Sequence, residues 1–168
     1  LVDKGLVADQ IVLTVGYDIE NLTDPDRRNR YKGPVTADHY GRKVPKHAHG
    51  TAGLGRKTSS AMLMTNAVTQ LYDRIVDRDL LIRRITLAAN HVIEENAAAE
   101  TDQFEQLDLF TDYGELQKKQ EKENAALERE KNMQKAMLDI KKKFGKNAIL
   151  KGINREEEAT ARKRNEQI

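Results

Sequence analysis

From Asp9 to Tyr17 the chain alternates Ile11, Leu13 and Val15 with Val12, Thr14 and Gly16. That period of two marks a strand with one face more deeply buried than the other. Ahead of it, Leu1 to Val7 reads as the end of a helix closed by Gly5. Asn21 to Gly33 carries turn chemistry and charge. Thr36 to Thr51 is polar, with a second strand expected around Val44 to Thr51, after a turn at Tyr40-Gly41. At Thr58 or Ser59, either of which can N-cap a helix, the period changes. Met64, Val68, Leu71 and Ile75 then fall at helical spacing, giving a helix to about Asp77 with one apolar stripe. Ile82 to Ile93 returns to alternation, with Ile85, Leu87 and Ala89 inward and Arg84, Thr86 and Asn90 opposite. The pattern predicts an α+β domain over residues 1–95, a small β-sheet backed on one face by helix. Its bare face is expected to carry Arg84 and the Lys46 to Thr51 segment.

Beyond this domain the pattern changes twice. Residues 96–114 have no helical or strand period, and Ala97 to Gly114 holds five acidic residues and no basic one. This reads as an acidic linker, and in it Gln106-Leu107-Asp108-Leu109-Phe110 is an apolar cluster with nothing nearby to bury it. Such a cluster suits a peptide that docks into another protein's pocket. Residues 115–168 read as a helical, highly charged tail. A long helix is expected from Glu115 to Phe144, with Met133, Met137, Ile140 and Phe144 at i, i+4, i+7 and i+11 and Gly145 as terminator. Asn154 with Glu157 resembles a capping box for a last polar helix.

Composition narrows the function classes. One third of the 168 residues are charged, and the apolar content is too low for one compact core along the whole length. The absence of Cys excludes disulfides, thiolate zinc sites and Cys nucleophiles, and fits a reducing cytoplasm. No apolar run approaches the roughly 20 residues of a membrane span, so no membrane partner is expected. The chain begins at Leu1 in mid-pattern, which leads us to expect part of a longer protein. Net charge is only +2, but Arg27 to Lys57 holds nine Lys or Arg against one acid, Asp38, with His39, His47 and His49 among them. A cationic block of that density is an electrostatic footprint for a polyanion.

Each candidate site has a plainer reading beside it. Gly50 to Ser59 (GTAGLGRKTS) approaches a phosphate-binding loop, but Arg56 stands where the lysine should follow Gly55 directly, and no apolar strand precedes Gly50. Nucleotide hydrolysis is therefore disfavoured. A Gly-rich basic turn opening a helix could still hold one backbone phosphate. His47 and His49 share one side of a strand, yet no obvious fourth ligand accompanies them, so no metal site is expected. Arg83 and Arg84 are adjacent in a strand and should point to opposite faces. The carboxylates offer no catalytic pair.

Taken together, Ile11 to Leu22, Thr36 to Thr51, Thr58 to Ser60, Ile82 to Val92, QLDLF and Lys135 to Gly152 resemble, in order and spacing, the C-terminal region of a Y-family (translesion) DNA polymerase. The branch is the UmuC-like, ImpB/MucB/SamB group of Gram-positive bacteria. The resemblance implies a little-finger domain, a sheet backed by two helices that grips primer-template DNA through its backbone. By that similarity Lys46, His47, His49, Gly50 and Thr51 form the phosphate-contacting strand, Arg83 and Arg84 the matching arginine pair, and Gly55 to Ser59 the helix start. Arg56, Lys57, Thr58 and Thr86 complete the expected DNA-contacting set. Gln106, Leu107, Asp108, Leu109 and Phe110 match the peptide by which bacterial repair proteins bind the ring-shaped sliding clamp.

Two departures from the family pattern matter. The domain's opening strand and most of its first helix are missing, so the truncated sheet is expected to expose an edge able to pair with another chain. The palm with its metal-binding carboxylates is also missing. The fragment is expected not to polymerise DNA and to hold no cofactor, whereas the parent would use Mg2+. The implied role is DNA repair by error-prone lesion bypass in a bacterial cytoplasm. The alternative is a structural adaptor whose C-terminal helix recruits a protein partner.

Overall fold

The computed structural model of the chain describes residues 1–101, 113–156 and 159–167. It divides into two compact units, Val7–Glu100 and Leu1–Leu6 with Thr101–Ile168. The architecture is α+β, with a small antiparallel sheet and helices.

At the centre of the sheet lies β1 (Leu6–Tyr17), flanked by β4 (Ala48–Thr58) and β5 (Ile82–Asn90), both antiparallel to it. The alternation read from the sequence holds along this strand: Ile11, Leu13, Val15 and Tyr17 are buried, while Val12, Thr14 and Gly16 are not. β1 starts at Leu6 rather than Asp9. Only Val2–Lys4 is helical before it, as a single 3-10 turn that Gly5 closes at φ 61°.

Helix α3 (Ala61–Ile75) packs on β4 and closes the core. Leu13, Val15, Tyr17, Leu71 and Val76 form its centre, with Val68, Tyr72 and Ile75 packed against them. The N-cap is Ser60, whose hydroxyl accepts from the Leu63 amide at 3.2 Å, so the helix starts after neither Thr58 nor Ser59. Thr58 instead accepts from the Ser60 amide at 3.0 Å and is buried. Gly50 permits the close approach of helix to sheet. A Cβ there would stand 3.0 Å from Leu71 Cδ1 and 3.2 Å from Ile75 Cδ1.

The strand expected over Val44 to Thr51 is two strands. β3 (Lys43–Pro45) pairs with β2 (Val35–Ala37) in a separate hairpin, and β4 begins only at Ala48. Proline cannot donate to a ladder, and after Pro45 the Lys46 amide turns to the carbonyl of Pro34 at 2.8 Å. β4 also runs through most of the stretch read as a Gly-rich loop; the irregularity sits at Gly55, where φ is 74°. Asn21 to Gly33 is largely helical, as α1 (Glu20–Thr23) and α2 (Pro25–Arg30). Asp24 caps α2 by accepting from the Arg27 amide at 2.8 Å, with Pro25 at the first helical position.

β5 ends at Asn90. His91 takes φ 51°, and β6 (Ile93–Glu94) returns to pair with β1. Ile85 and Leu87 lie opposite Val15 and Leu13, on the core face as the alternation predicts. They are nonetheless 53% and 56% exposed, because α3 sits over β4 and β1 and leaves β5 uncovered.

Residues 95–101, expected in part as linker, form α4 (Glu95–Thr101). The QLDLF peptide, Gln106 to Phe110, lies outside the described residues. In the second unit α5 (Tyr113–Phe144) spans the expected long helix and stops at Gly145, φ 92°. Asp3 of the opening turn pairs with Lys142 on α5, which holds the Asp3 carboxyl below its ordinary range. Asn154 lies within a 3-10 turn, Gly152–Arg155, and its expected partner Glu157 lies outside the described residues. The last helix is α6 (Ala161–Glu166), preceded by Thr160.

Cavity and overpacking costs set the expected stability changes. Leu13→Ala should cost about 2–5 kcal/mol and Gly50→Val about 1–3 kcal/mol, whereas Leu87→Ala should cost less than about 1 kcal/mol because its side chain is already in water. Urea denaturation of the three variants checks the ranking.

Candidate nucleic-acid interface

With the core face fixed by Leu13 and Val15, parity assigns the opposite face. His49, Thr14 and Thr86 form one row across β4, β1 and β5, and Thr51, Val12 and Ala88 form the next. His49 Nδ1 lies 2.9 Å from Thr14 Oγ1, and its ring meets His47 edge-on at 6.3 Å between centroids. Arg84 pairs with Gly16 on this same open face.

The two arginines do not simply alternate. Gly16 faces Arg84 but Tyr17 faces Ile82, so Arg83 is the extra residue of a bulge in β5. The bulge lets Arg83 and Arg84 border one concavity of about 420 Å³, together with His39, Tyr40, Arg42 and His47. The single carboxylate in its lining, Asp38, accepts from Arg42 Nε at 2.8 Å and Nη2 at 2.6 Å. Arg42 thereby holds the Asp38 carboxyl below its ordinary range.

The entrance to β5 is set by Asn21, a turn residue by its local sequence but fully buried in the fold. Its Nδ2 donates to the Asp18 and Leu81 carbonyls, and its Oδ1 accepts from the Leu81 amide, all at 2.9 Å. Leu81 stands two residues before Arg83, so this side chain fixes where the arginine bulge begins. Asn between a strand and a proline-led helix signals a turn in sequence; its long-range partner has no local signature.

The expected DNA-contacting residues do not all converge. His47, His49, Thr51, Arg84 and Thr86 are exposed and, where the register assigns them, share the open face; Arg83 joins them through the bulge. Lys46 is exposed but precedes β4, so no strand pairing assigns it a face. Gly50 belongs to the opposite face, under α3, where its missing side chain serves packing rather than access to a phosphate. Thr58 is buried with its hydroxyl engaged by Ser60, and it lies with Arg56 and Lys57 beyond the Gly55 irregularity. At about 3.3 Å per strand residue, Arg56 stands about 23 Å along β4 from His49.

The basic block from Arg27 to Lys57 is likewise no single patch. Arg27, Arg30 and Lys32 border a different cavity of about 290 Å³, in company with Asp77 and Asp79. Among the described residues no three His, Asp or Glu side chains gather into a group that could hold a metal ion. No helix of the described residues is long and apolar enough to cross a membrane.

The Asp38 pairing yields a pH test. A carboxyl depressed in the folded state gives stabilisation that is present above the ordinary carboxylate range and lost as pH falls through the depressed value. Titration of the Asp38 carboxyl carbon by NMR should give a midpoint below the ordinary range, and Arg42→Ala should return it upward. No protein-family model, curated protein or solved structure matches the chain.

Proposed function

We propose that this chain is the non-catalytic DNA-gripping and clamp-binding region of an error-prone lesion-bypass DNA polymerase, a little-finger-like domain with a tethered clamp peptide. The observation that carries the reading is the bulge at Arg83, which gathers two adjacent arginines at the edge of a polar sheet face bearing His47, His49, Thr51 and Thr86. Guanidinium, imidazole and hydroxyl groups in a shallow surface suit phosphate oxygens, and contacts of that kind position a duplex without reading its sequence.

Magnitudes divide the labour. Each neutralised phosphate contributes a log–log salt slope of about −0.9, so a grip of about four phosphates weakens steeply as salt rises. The apolar clamp peptide adds roughly 1.5–3 kcal/mol for each buried Leu or Phe side chain, less the entropy of ordering it. Joined in one chain, the two weak sites reinforce each other through effective concentration. DNA repair in a bacterial cytoplasm, with primer-template DNA and the sliding clamp as partners, follows from this reading. So does Mg2+ chemistry confined to the polymerase domain of the parent.

A second reading has its own support. Met133, Ile140 and Phe144 are exposed along one stripe of α5, which favours an adaptor helix that recruits a protein. The stripe is too short for a sustained coiled coil, and the arginine bulge has no role in it.

Fluorescence anisotropy with primer-template DNA decides between them. Sequence-independent binding that falls with salt, and falls further about three- to tenfold in Arg83→Ala or Arg84→Ala, is expected; unchanged affinity in both variants defeats the proposed face. Replacing Leu109 and Phe110 with Ala should abolish clamp pull-down and leave DNA affinity as it was.

A further inference from the structure

The concavity beside the arginine bulge has a feature that backbone gripping does not use. Tyr40, at the tip of the β2–β3 hairpin, is 77% exposed although its ring is apolar on both faces. Its loop is built around one carboxylate. Asp38 Oδ1 accepts from the amides of Tyr40 and Arg42, each at 2.9 Å, while Oδ2 takes the Arg42 guanidinium. Gly41 supplies the left-handed step at φ 76°, and the Asp38 amide donates to the Arg42 carbonyl at 2.8 Å. The Arg42 guanidinium, held by that same carboxylate, stands 5.1 Å from the Tyr40 ring centroid, and the His39 ring meets Tyr40 edge-on at 5.3 Å.

We propose that Tyr40 is a stacking platform for an unpaired nucleobase, taking the first single-stranded base of a nucleic acid whose backbone lies along Arg83 and Arg84. The inference rests on the duplex-gripping reading and adds a preference for a single-strand/duplex junction. The case is geometric and electrostatic. Tyr40, Arg42, His47, Arg83 and Arg84 border one surface depression, so a ring and several phosphate donors are within reach of one strand. The lone carboxylate in that lining is already held by Arg42, so the depression presents cationic groups to a ligand. A cation over one face of an aromatic ring leaves the other for a base, and base–aromatic stacking is indifferent to sequence because every base has a π-face. Apolar protein anchors would have no use for the flanking arginines, which favours a nucleic acid over a protein partner. The loop's hydrogen bonds fix the backbone that carries Tyr40 before binding, so little backbone entropy is lost when a base lands on its ring.

The test uses the full chain and two probes, a blunt duplex and the same duplex with a single-stranded overhang carrying 2-aminopurine at its first unpaired position. The wild-type chain should bind the overhang about tenfold more tightly than the blunt duplex and quench the 2-aminopurine. Tyr40→Ala should remove both the preference and the quenching while blunt-duplex affinity stays unchanged; Tyr40→Phe should keep them. Equal binding of both probes by the wild type overturns the platform and leaves the grip standing. So does an undiminished preference in Tyr40→Ala, which would direct Tyr40 toward a protein partner. A Tyr40→Ala loss equal for both probes makes the ring a prop for the hairpin, again overturning the proposal. Failure of the wild type to bind even the blunt duplex overturns the duplex-gripping reading itself.

Discussion

Two-fold alternation along β1 is the constraint on which the domain depends. β1 is paired on both sides, so its parity is imposed on β4 and β5 as well. Leu13 and Val15 are fully buried, and water is excluded from them only if their face meets α3. Every residue opposite them is thereby committed: Gly50, Leu87 and Ile85 to the core side, His49, Thr86 and Arg84 to the other. A slip of one residue would put Thr14 in the core and the arginine strand's apolar residues on the polar face. Burial of two aliphatic side chains therefore orients a surface they never touch.

Where the sheet departs from alternation, it does so at a site with its own anchor. The extra residue in β5 frees Arg83 from the face that parity would give it. Bulges re-aim side chains in this way at the ends of strands, but an unanchored bulge can migrate. Asn21 anchors the start of this strand by holding Leu81 through both its amide and carbonyl, with its own side chain fully buried. Leaving those buried groups unpaired would cost more than the hydrogen bonds themselves contribute, so the anchor and the arginine pair form one unit. Tyr40 is held comparably, by a carboxylate that organises a hairpin tip with four donated hydrogen bonds. The start of the arginine strand and the backbone of the hairpin tip are thus both held by hydrogen bonds within the chain.

The uncovered part of the sheet is a separate consequence of having the one helix α3 over β4 and β1 of a four-stranded sheet. Ile85 and Leu87 carry the residue types of a core position but lie beyond the reach of α3. Their exposure sits on an edge strand in which two arginines directly precede Ile85, charge of the kind that discourages unwanted strand pairing.

Periodicity determined much of this. The strand ending at Tyr17, the stripe from Met64 to Ile75, the inward side of Ile85 and Leu87 and the helix ending at Gly145 are local patterns. They are legible because side-chain direction repeats every two or 3.6 residues. The sequence also disclosed which residue types could meet a polyanion. It could not disclose which of them meet each other. Gly50 looked like part of a phosphate loop and proved to be a helix contact, because its role depends on Leu71 and Ile75 some twenty residues away. Thr58 was taken up by the Ser60 amide, and the dense basic block proved no single patch, with Arg27, Arg30 and Lys32 at one cavity and Arg42 at another. Arg83 joined Arg84 only through a register shift, and Asn21 found Leu81 across 60 residues. Such pairings are non-local, and nothing within a short window of chain specifies a distant partner. Tertiary structure alone decided them, because only when β1 is packed do the strands carrying these groups acquire a common frame.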